Sequence, residues 1–447
     1  MKNILLVSLD CLRSDALGVS EDKFNPPINS NTMNRLASKG VLFPNTIVQA
    51  PYTIASHASM LTGLYPFNHG LRRQFNPTKL NLGSLRLLKQ LKKNYDLYSF
   101  VGADFFDEKF GYDVWDHQEE TNLWTIKKYL RKNHARPFFS FVHYWGIHTP
   151  YQLNLAENLW EQLGEHLERI VKNDYLHVPK LGGLHKKVFG GDRKKVSKIR
   201  AIMKSGEEVD LRKIRQGYQK GVERADYFIK KLINILEDQG IRDSTTIVIT
   251  GDHGESFNEY NEIESFPEDY EHGPFLYDNV IKVPLIIIDP DLPSGRIIDQ
   301  QVQSIDILPT IFDVMGFEIA QQVNGRSLLP FIYSKQSEKD YSYAYSETKK
   351  DSKGNSESKV DKSSLRSSRG YKLIADRKQG TDKLVDYRND EREDVKEKRN
   401  EEYEKLKKAL DNLFKNEKND FASKAEELTE REQREISERL KSLGYLK

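Results

Sequence analysis

Two strand-like stretches of the sequence each end in side chains that bind metal ions. Residues 3–9 form an apolar run that stops at Asp10, and residues 245–250 form a second run that leads into Asp252 and His253. In open α/β sheets, ligands bind at the carboxyl ends of the strands. Carboxylate and imidazole together suit zinc, manganese or a similar divalent ion. Any one of these residues alone is more often structural, but together they predict a metal site.

Thr53 precedes small residues that are typical of a close-packed turn into a helix. We expect Ser56 to cap that helix and Gly63, with Pro66 after it, to end it. The helix dipole and the backbone N–H groups at a helix start hold anions, so a hydroxyl there can attack a phosphate or sulfate ester. Threonine in this position is commonly only a cap. A metal touching its oxygen would lower the hydroxyl pKa and make Thr53 a nucleophile.

Several histidines are placed to assist such a reaction. His148 follows the predicted strand 138–144, and His272 lies in a loop before the predicted strand 283–288. Imidazole can donate to ester oxygens and act as a general acid near neutral pH, although a loop histidine without a role is the alternative for each. His57 follows Thr53 by one helical turn and can reach the same anion. His143 and His69 are interpreted as structural.

Alternating strands and helices must position these residues. The predicted strands are 3–9, 41–48, 97–102, 138–144, 245–250 and 283–288, and the predicted helices are 31–40, 82–93, 124–132, 211–239 and 305–315. This order predicts an α/β fold with a mostly parallel sheet covered by helices on both faces. The helix 211–239 has an apolar stripe at helical spacing and ends at Gly240.

Composition indicates a soluble, charged protein. The chain has 447 residues, which favours two units over one, and 69 basic residues nearly balance 67 acidic ones. The single cysteine, Cys11, excludes a disulfide framework and a cysteine-based zinc cluster. No apolar run is long enough to span a membrane, and the first one is too short for a signal peptide. We therefore expect a cytoplasmic protein, with a homo-oligomer left open.

Two regions depart from the alternating pattern. Residues 151–215 form an insertion whose segment 186–204 holds eight Lys or Arg and one acid. We favour a solvated insertion. The alternatives are a basic lid over an anionic substrate and a nucleic-acid patch, which the lack of interleaved aromatics weakens. Residues 335–364 are polar and predict a linker or mobile loop. Short strands at 371–376 and 383–387 and a charged helical tail from about residue 390 follow.

Several motifs, in order, resemble the sulfatase family of the alkaline phosphatase superfamily. They are ILLVSLDCLRSD, ASHASMLTGLYPFNHG, HYWGIHTPY, TTIVITGDHGE, HGPFLYDNVIKVPLII, SIDILPTIFDVMGFE, NGRSLLPFI and, near the end, YKLI with LVDYRND. The resemblance extends from the N-terminus to about residue 390. It implies an alkaline-phosphatase-like core over residues 1–335, with a smaller C-terminal α+β subdomain over 336–447.

The sequence departs from true sulfatases at the nucleophile. Sulfatases carry Cys or Ser, oxidised to formylglycine, within C-x-P-x-R, whereas residues 53–57 here read TIASH. Threonine cannot supply that aldehyde, so no formylglycine is expected. Cys11 also replaces an acid found in many sulfatases, which leaves a poorer site for a hard cation. Thr53 as nucleophile is similar to the phosphodiesterases, phosphomutases and phosphoglycerol- or phosphoethanolamine-transferring members of the superfamily.

The resemblance also implies roles for individual residues. Asp10, Thr53, Asp252 and His253 match the shared set of metal ligands and nucleophile, which would hold one divalent ion (manganese, zinc or calcium). His148 matches the family's H-x-P-Y histidine. His272 stands where sulfatases usually place Lys, and Arg73 is a loosely aligned substrate contact. A second metal would draw on His148 and His272, but no third ligand can be assigned.

These observations predict a metal-dependent hydrolase of phosphate-type esters, with a phosphodiester or a phosphonate monoester as the favoured substrate. Thr53 would attack in line, and His148 or His272 would assist the leaving group. The alternatives are sulfate-ester hydrolysis without formylglycine, transfer of a phosphoglycerol or phosphoethanolamine group, and an inactive anion-binding protein. The expected partner is a small anionic ester, and nucleic acid is not expected.

Overall fold

The structure is a computed structural model that describes residues 1–18, 28–73, 85–101, 112–116, 123–130, 136–148, 208–257, 259–260, 272–319, 322–334, 343–351 and 358–420. These residues form a large mixed sheet, a small antiparallel sheet and the helices around them. The predicted fold class, a mostly parallel sheet with a smaller C-terminal α+β part, is confirmed. No helix in these ranges is long and apolar enough to cross a membrane.

The large sheet gathers the ends of its central strands at one edge. Its strands are β1 (Asn3–Leu9), β2 (Val41–Ile47), β3 (Asp96–Phe100), β4 (Val114–Asp116), β5 (Phe138–Tyr144), β6 (Thr245–Gly251), β7 (Lys282–Ile288), β8 (Arg296–Ile297) and β9 (Val302–Gln303). The order is β4-β3-β5-β1-β6-β7-β2-β8, and β9 pairs with β2. β1 is parallel to β5 and β6, whereas β7 is antiparallel to β6 and β2. The carboxyl ends of β1, β2, β5 and β6 therefore share an edge with the start of β7.

Helices cover both faces of this sheet. The described α-helices are α1 (Asn31–Lys39), α2 (Thr53–Thr62), α3 (Pro66–His69), α4 (Arg86–Lys92), α5 (Leu123–Tyr129), α6 (Glu208–Asp238), α7 (Asp278–Ile281), α8 (Ile307–Val314), α9 (Leu329–Ile332) and α10 (Asn400–Asp420). Alternation along β1 divides the core, because Leu5 and Val7 pack with α1, α5 and α6 while Ile4 and Leu6 pack with α2, α4 and α8. The predicted stripe of α6 is buried.

The small sheet corrects the prediction of a linker at 335–364 over residues 343–351 and 358–364, and the rest of that segment lies outside the described residues. Its strands β10 (Tyr343–Asp351), β11 (Ser358–Ser367), β12 (Tyr371–Asp376) and β13 (Thr381–Asp386) pair in sequence order, and α10 packs against them. The polar sequence suggests a loop, but hydroxyl side chains of β10 are buried and bond to backbone carbonyls of the large domain. Ser346 Oγ donates to the Val48 carbonyl at 2.6 Å, and Thr348 Oγ1 donates to the Gly273 carbonyl at 2.5 Å. Polar side chains with such partners are tolerated inside a fold.

Three predictions fall wholly or partly outside the described residues. The predicted insertion 151–215 lies outside them up to residue 207, including its basic segment 186–204, and α6 begins at Glu208. The last part of the predicted charged tail, from residue 421, also lies outside them, whereas α10 forms its helical start. The boundary between residues 335 and 336 stays a prediction.

Candidate active site

The shared edge of the large sheet brings the predicted metal ligands together. Ligand atoms of Asp10, Asp252 and His253 all lie within 4.8 Å of one another. His253 Nε2 is 3.6 Å from Asp10 Oδ1 and 3.6 Å from Asp252 Oδ2, and all three side chains are fully buried. Asp10 follows β1, and the other two follow β6, which pairs directly with β1. The register of two neighbouring parallel strands thus creates this cluster.

The donor set fits a divalent cation. The Oδ2 atoms of Asp10 and Asp252 are buried, and neither accepts a hydrogen bond from the residues that the structure describes. A buried carboxylate oxygen without a donor is costly unless a cation or another partner compensates it. Asp10, Asp252 and His253 are the residues that would hold the cation, with Thr53 beside them. Carboxylate and imidazole donors are suitable for manganese or zinc.

The pKa values of the cluster show the same strain between buried charges. Burial raises the pKa of Asp252, and the adjacent Asp10 carboxylate raises it further. Burial would also raise the pKa of Asp10, but the histidines around it, His148 first, lower that pKa instead. Burial alone would lower the pKa of His253, but the carboxylates of Asp252 and Asp10 raise it overall. Two adjacent carboxylates thus compete for positive charge, which a bound cation would provide.

Thr53 lies beside this cluster at the start of a helix. It is the first residue of α2, and its Oγ1 is 3.5 Å from His253 Nε2. Unlike the buried ligands, its side chain is partly exposed, so a substrate can approach the hydroxyl. The prediction that Ser56 caps the helix is wrong. Ser56 lies inside the first turn, and its Oγ donates to the Asp252 carbonyl at 2.5 Å. Gly63, in a left-handed conformation (φ 68°), ends the helix as predicted.

His148 and His272 flank the cluster, as their predicted roles require. His272 stacks on His253 with ring centroids 4.3 Å apart, and its Nδ1 lies 3.2 Å from Glu255 Oε1. His148 stacks on Trp145 at 4.3 Å, and its ring centroid is 5.6 Å from that of His272. His272 reaches the site because β7 runs antiparallel to β6, which places the loop before β7 at the same edge.

The two predicted substrate contacts are placed differently. His57 is fully buried, its Nε2 lies 2.8 Å from Ser8 Oγ and 3.9 Å from Asp252 Oδ2, and its ring packs against Phe141. Burial, then the neighbouring His143, lowers the pKa of His57 well below its usual range. His57 is therefore a neutral group beneath the cluster. Arg73 lies in the partly buried loop that follows α3.

Three residues of the cluster had no assigned role in the sequence. His143, interpreted as structural, places Nε2 3.3 Å from Asp10 Oδ2. Strand alternation was the available signal, because His143 pairs with Ser8 on the face that α2 covers. Cys11 Sγ donates to Asp10 Oδ1 at 3.1 Å, and burial raises the pKa of its thiol well above the usual value. Glu255, in the quoted GDHGE motif, is buried against His272.

The mixed sheet with an Asp/His cluster at its edge is an alkaline-phosphatase-like fold. The chain belongs to the sulfatase family, because residues 2–317 match the model described as Sulfatase. Residues 270–420 match a second model, described as N-sulphoglucosamine sulphohydrolase, C-terminal. The predicted family is confirmed.

Similar proteins include both sulfatases and a phosphonate hydrolase. Arylsulfatase K of Xenopus laevis is 24% identical over 346 residues, and the match covers 67% of this chain but only 61% of the relative. The solved structure of a 2-O GAG sulfatase has a TM-score of 0.69 and 18% identity, covering 97% of this chain and 96% of the other. The phosphonate monoester hydrolase of Silicibacter pomeroyi has a TM-score of 0.66 and 18% identity, covering 95% and 96%. At such identities the structures establish the fold alone.

Proposed function

We propose that the protein is a cation-dependent hydrolase of phosphate-type esters, with a phosphodiester or a phosphonate monoester as substrate and Thr53 as nucleophile. The observation that carries the proposal is the position of Thr53. Thr53 is partly exposed and begins helix α2, and its Oγ1 lies 3.5 Å from His253 Nε2, beside the buried Asp/His cluster. Threonine cannot be oxidised to the aldehyde on which formylglycine sulfatases depend, so the hydroxyl itself must react.

The reaction would proceed in two displacements. Thr53 Oγ1 attacks phosphorus in line, its proton leaves to a nearby base, and the bond between phosphorus and the leaving oxygen breaks. His148 or His272 donates a proton to that oxygen, which gives the alcohol product and a phosphorylated Thr53. Water then attacks the same phosphorus, the bond between phosphorus and Thr53 Oγ1 breaks, and a proton from the water passes to Oγ1 and restores the hydroxyl. A divalent cation bound by Asp10, Asp252 and His253 supplies Lewis-acid stabilisation of the charge that develops.

Thr53 variants combined with a substrate panel test this proposal. Aryl phosphodiester, phosphonate monoester, phosphomonoester and sulfate ester substrates would be compared with added manganese or zinc. Thr53→Ala should abolish turnover of the preferred substrate, with its unfolding transition preserved, because alanine has no oxygen to attack phosphorus and the nearby Ser56 hydroxyl donates to the Asp252 carbonyl. Thr53→Ser, which keeps a hydroxyl, is the matched control and should retain measurable turnover. Wild-type rates for Thr53→Ala would refute the mechanism.

Sulfate-ester hydrolysis is the second candidate. It is favoured by the match of residues 270–420 to the N-sulphoglucosamine sulphohydrolase C-terminal model and by the similarity to arylsulfatase K and the 2-O GAG sulfatase. The same panel separates the two, because a sulfatase would turn over the sulfate ester fastest. Mass spectrometry of quenched reactions would detect phosphate on Thr53. Adding glycerol would reveal transfer to an alcohol in place of hydrolysis.

A further inference from the structure

The turn that carries Asp10 has a strained backbone. Cys11 directly follows Asp10 and adopts a left-handed conformation (φ 58°). This conformation is unfavourable for an L-residue other than glycine, because Cβ crowds the following carbonyl oxygen. A strained conformation persists only where the surrounding structure holds it in place. The contacts that hold Cys11 therefore help to determine where the neighbouring Asp10 carboxylate lies.

A tyrosine hydroxyl on helix α6 holds this turn from both sides. Tyr218 Oη donates to the Cys11 carbonyl at 3.0 Å and accepts from the Arg13 backbone N–H at 2.9 Å. A hydroxyl can donate one hydrogen bond and accept others, so a single group closes the turn between these two residues. Tyr218 is fully buried, and its ring packs edge-on against Phe257 with centroids 5.0 Å apart. The hydroxyl is therefore fixed in position by the core.

The same turn also contacts the loop that carries the other cation ligands. The Cys11 backbone N–H donates to Asp252 Oδ1 at 3.2 Å. Arg13 Nη1 donates to the Glu255 carbonyl at 3.1 Å, in the segment that follows Asp252 and His253. The turn thus joins the loop after β1 to the loop after β6, and the Tyr218 hydroxyl holds the turn.

We propose that Tyr218 is a positioning residue for the divalent cation. Its hydroxyl holds the left-handed turn at Cys11, and that turn sets the position of Asp10 relative to Asp252. Tyr218 does not bind the cation itself. The inference rests on the proposed function, because it requires a cation held by Asp10, Asp252 and His253. It gives helix α6, whose sequence shows only an apolar stripe, a part in the site.

Tyr218→Phe tests this role, because it removes the hydroxyl and keeps the ring. Binding of Mn²⁺ to the full-length, metal-free protein would be followed by calorimetry and by the electron paramagnetic resonance of Mn²⁺. We expect Tyr218→Phe to weaken Mn²⁺ binding about 10- to 100-fold, the usual effect of removing a group that orients metal ligands. The unfolding midpoint of the cation-free protein would be measured in parallel. A lower midpoint with wild-type Mn²⁺ affinity would mean a purely structural role and would overturn the proposal.

Tyr112→Phe is the matched control. Tyr112 is also buried, and its Oη has no hydrogen-bond partner among the residues that the structure describes. Removing this hydroxyl should therefore leave the Mn²⁺ affinity at the wild-type value. A loss of affinity equal to that of Tyr218→Phe would show that the effect is not specific to the turn and would contradict the proposal.

A Cys11→Gly background tests the route through the turn. Glycine adopts the left-handed conformation without strain, so the turn then needs less support from Tyr218. Adding Tyr218→Phe to Cys11→Gly should weaken Mn²⁺ binding by a smaller factor than it does in the wild type, and equal factors would overturn this route. Wild-type affinity in Tyr218→Phe, with turnover lost in Thr53→Ala, would overturn the positioning role and leave the proposed function standing. A wild-type protein that binds no divalent cation would overturn both.

Discussion

An ion pair between the buried Glu347 and the partly buried Arg72 links the small sheet to the segment beside Thr53. Arg72 donates through Nε and Nη2 to the two carboxylate oxygens of Glu347 at 2.6 and 2.8 Å. Tyr345 Oη adds a third hydrogen bond to Glu347 at 2.6 Å. The Arg72 carbonyl in turn accepts from Tyr52 Oη at 2.6 Å, directly before Thr53. We predict that Glu347→Gln will remove a part of the folding free energy that depends on pH.

The magnitude follows from the pKa of Glu347. Burial would raise this pKa, but Arg72, and after it Arg377, lowers it from an ordinary 4.5 to about 2. Because the folded pKa lies below the unfolded one, the ionised pair stabilises the fold above about pH 4.5, and this stability is lost as the pH falls towards 2. A difference of roughly 2.5 in pKa, at about 1.4 kcal/mol for each, amounts to about 3 kcal/mol.

Urea unfolding at about pH 7 and about pH 3 measures this contribution. The wild-type protein should lose about 2 kcal/mol more between these pH values than Glu347→Gln does, because pH 3 is below the unfolded pKa of this carboxylate but still above its folded pKa of about 2. Other carboxylates titrate in both proteins and cancel in the difference. Glu393→Gln, at an exposed residue paired with Lys398, is the control and should follow the wild type. Equal losses in the wild type and Glu347→Gln would refute the reasoning.

Three further predictions concern the same region and the cation cluster. Arg72→Met should cost about 3–5 kcal/mol at neutral pH, because it leaves the Glu347 charge buried without its main partner, and adding Glu347→Gln should recover part of the loss in chemical denaturation. Manganese or zinc at about 100 times its Kd should raise the unfolding free energy by about 2.7 kcal/mol. A chelator should reverse this gain in a thermal scan. An unfolding transition that the cation leaves unchanged would contradict the assigned cluster. Gly254→Ala would place a Cβ 2.0 Å from the Asn279 carbonyl oxygen, so it should cost about 1–3 kcal/mol and weaken cation binding by moving His253. The control Gly316→Ala has open space around it and strains only its own left-handed backbone (φ 71°), so calorimetry should find its cation affinity unchanged.

The convergence of Asp10, Asp252 and His253 could be predicted because it depends on local sequence and one general property of sheets. An apolar run followed directly by Asp10, and another followed by Asp252, each places a ligand at a strand end. Parallel pairing of β1 with β6 then brings the ligands together. Thr53 was accessible to the same reasoning, because the small residues after it predict a helix start. The structure confirms that helix, although the capping role of Ser56 was wrong.

Other features depend on contacts between distant segments, which sequence patterns do not show. The contact of His143 with the cluster is not predicted from the sequence. Its position in a strand can be recognised, but not that helix α2 covers the face of the sheet on which it lies. The sequence does not predict strand β10, because its buried Ser and Thr side chains bond to partners about 75 to 300 residues away, Gly273 and Val48. A short stretch of sequence shows only that such residues are polar, and polarity alone predicts a loop.

The long-range contacts of β10 also give the small sheet a part in shaping the site. On one side, Glu347 holds Arg72, whose carbonyl anchors Tyr52 immediately before the proposed nucleophile. On the other, Thr348 Oγ1 donates to the carbonyl of Gly273, the residue after His272. Successive residues of a strand point to opposite faces, so one strand fixes both segments at once. The relative position of Thr53 and His272, the proposed nucleophile and proton donor, therefore depends on β10 as well as on the large sheet.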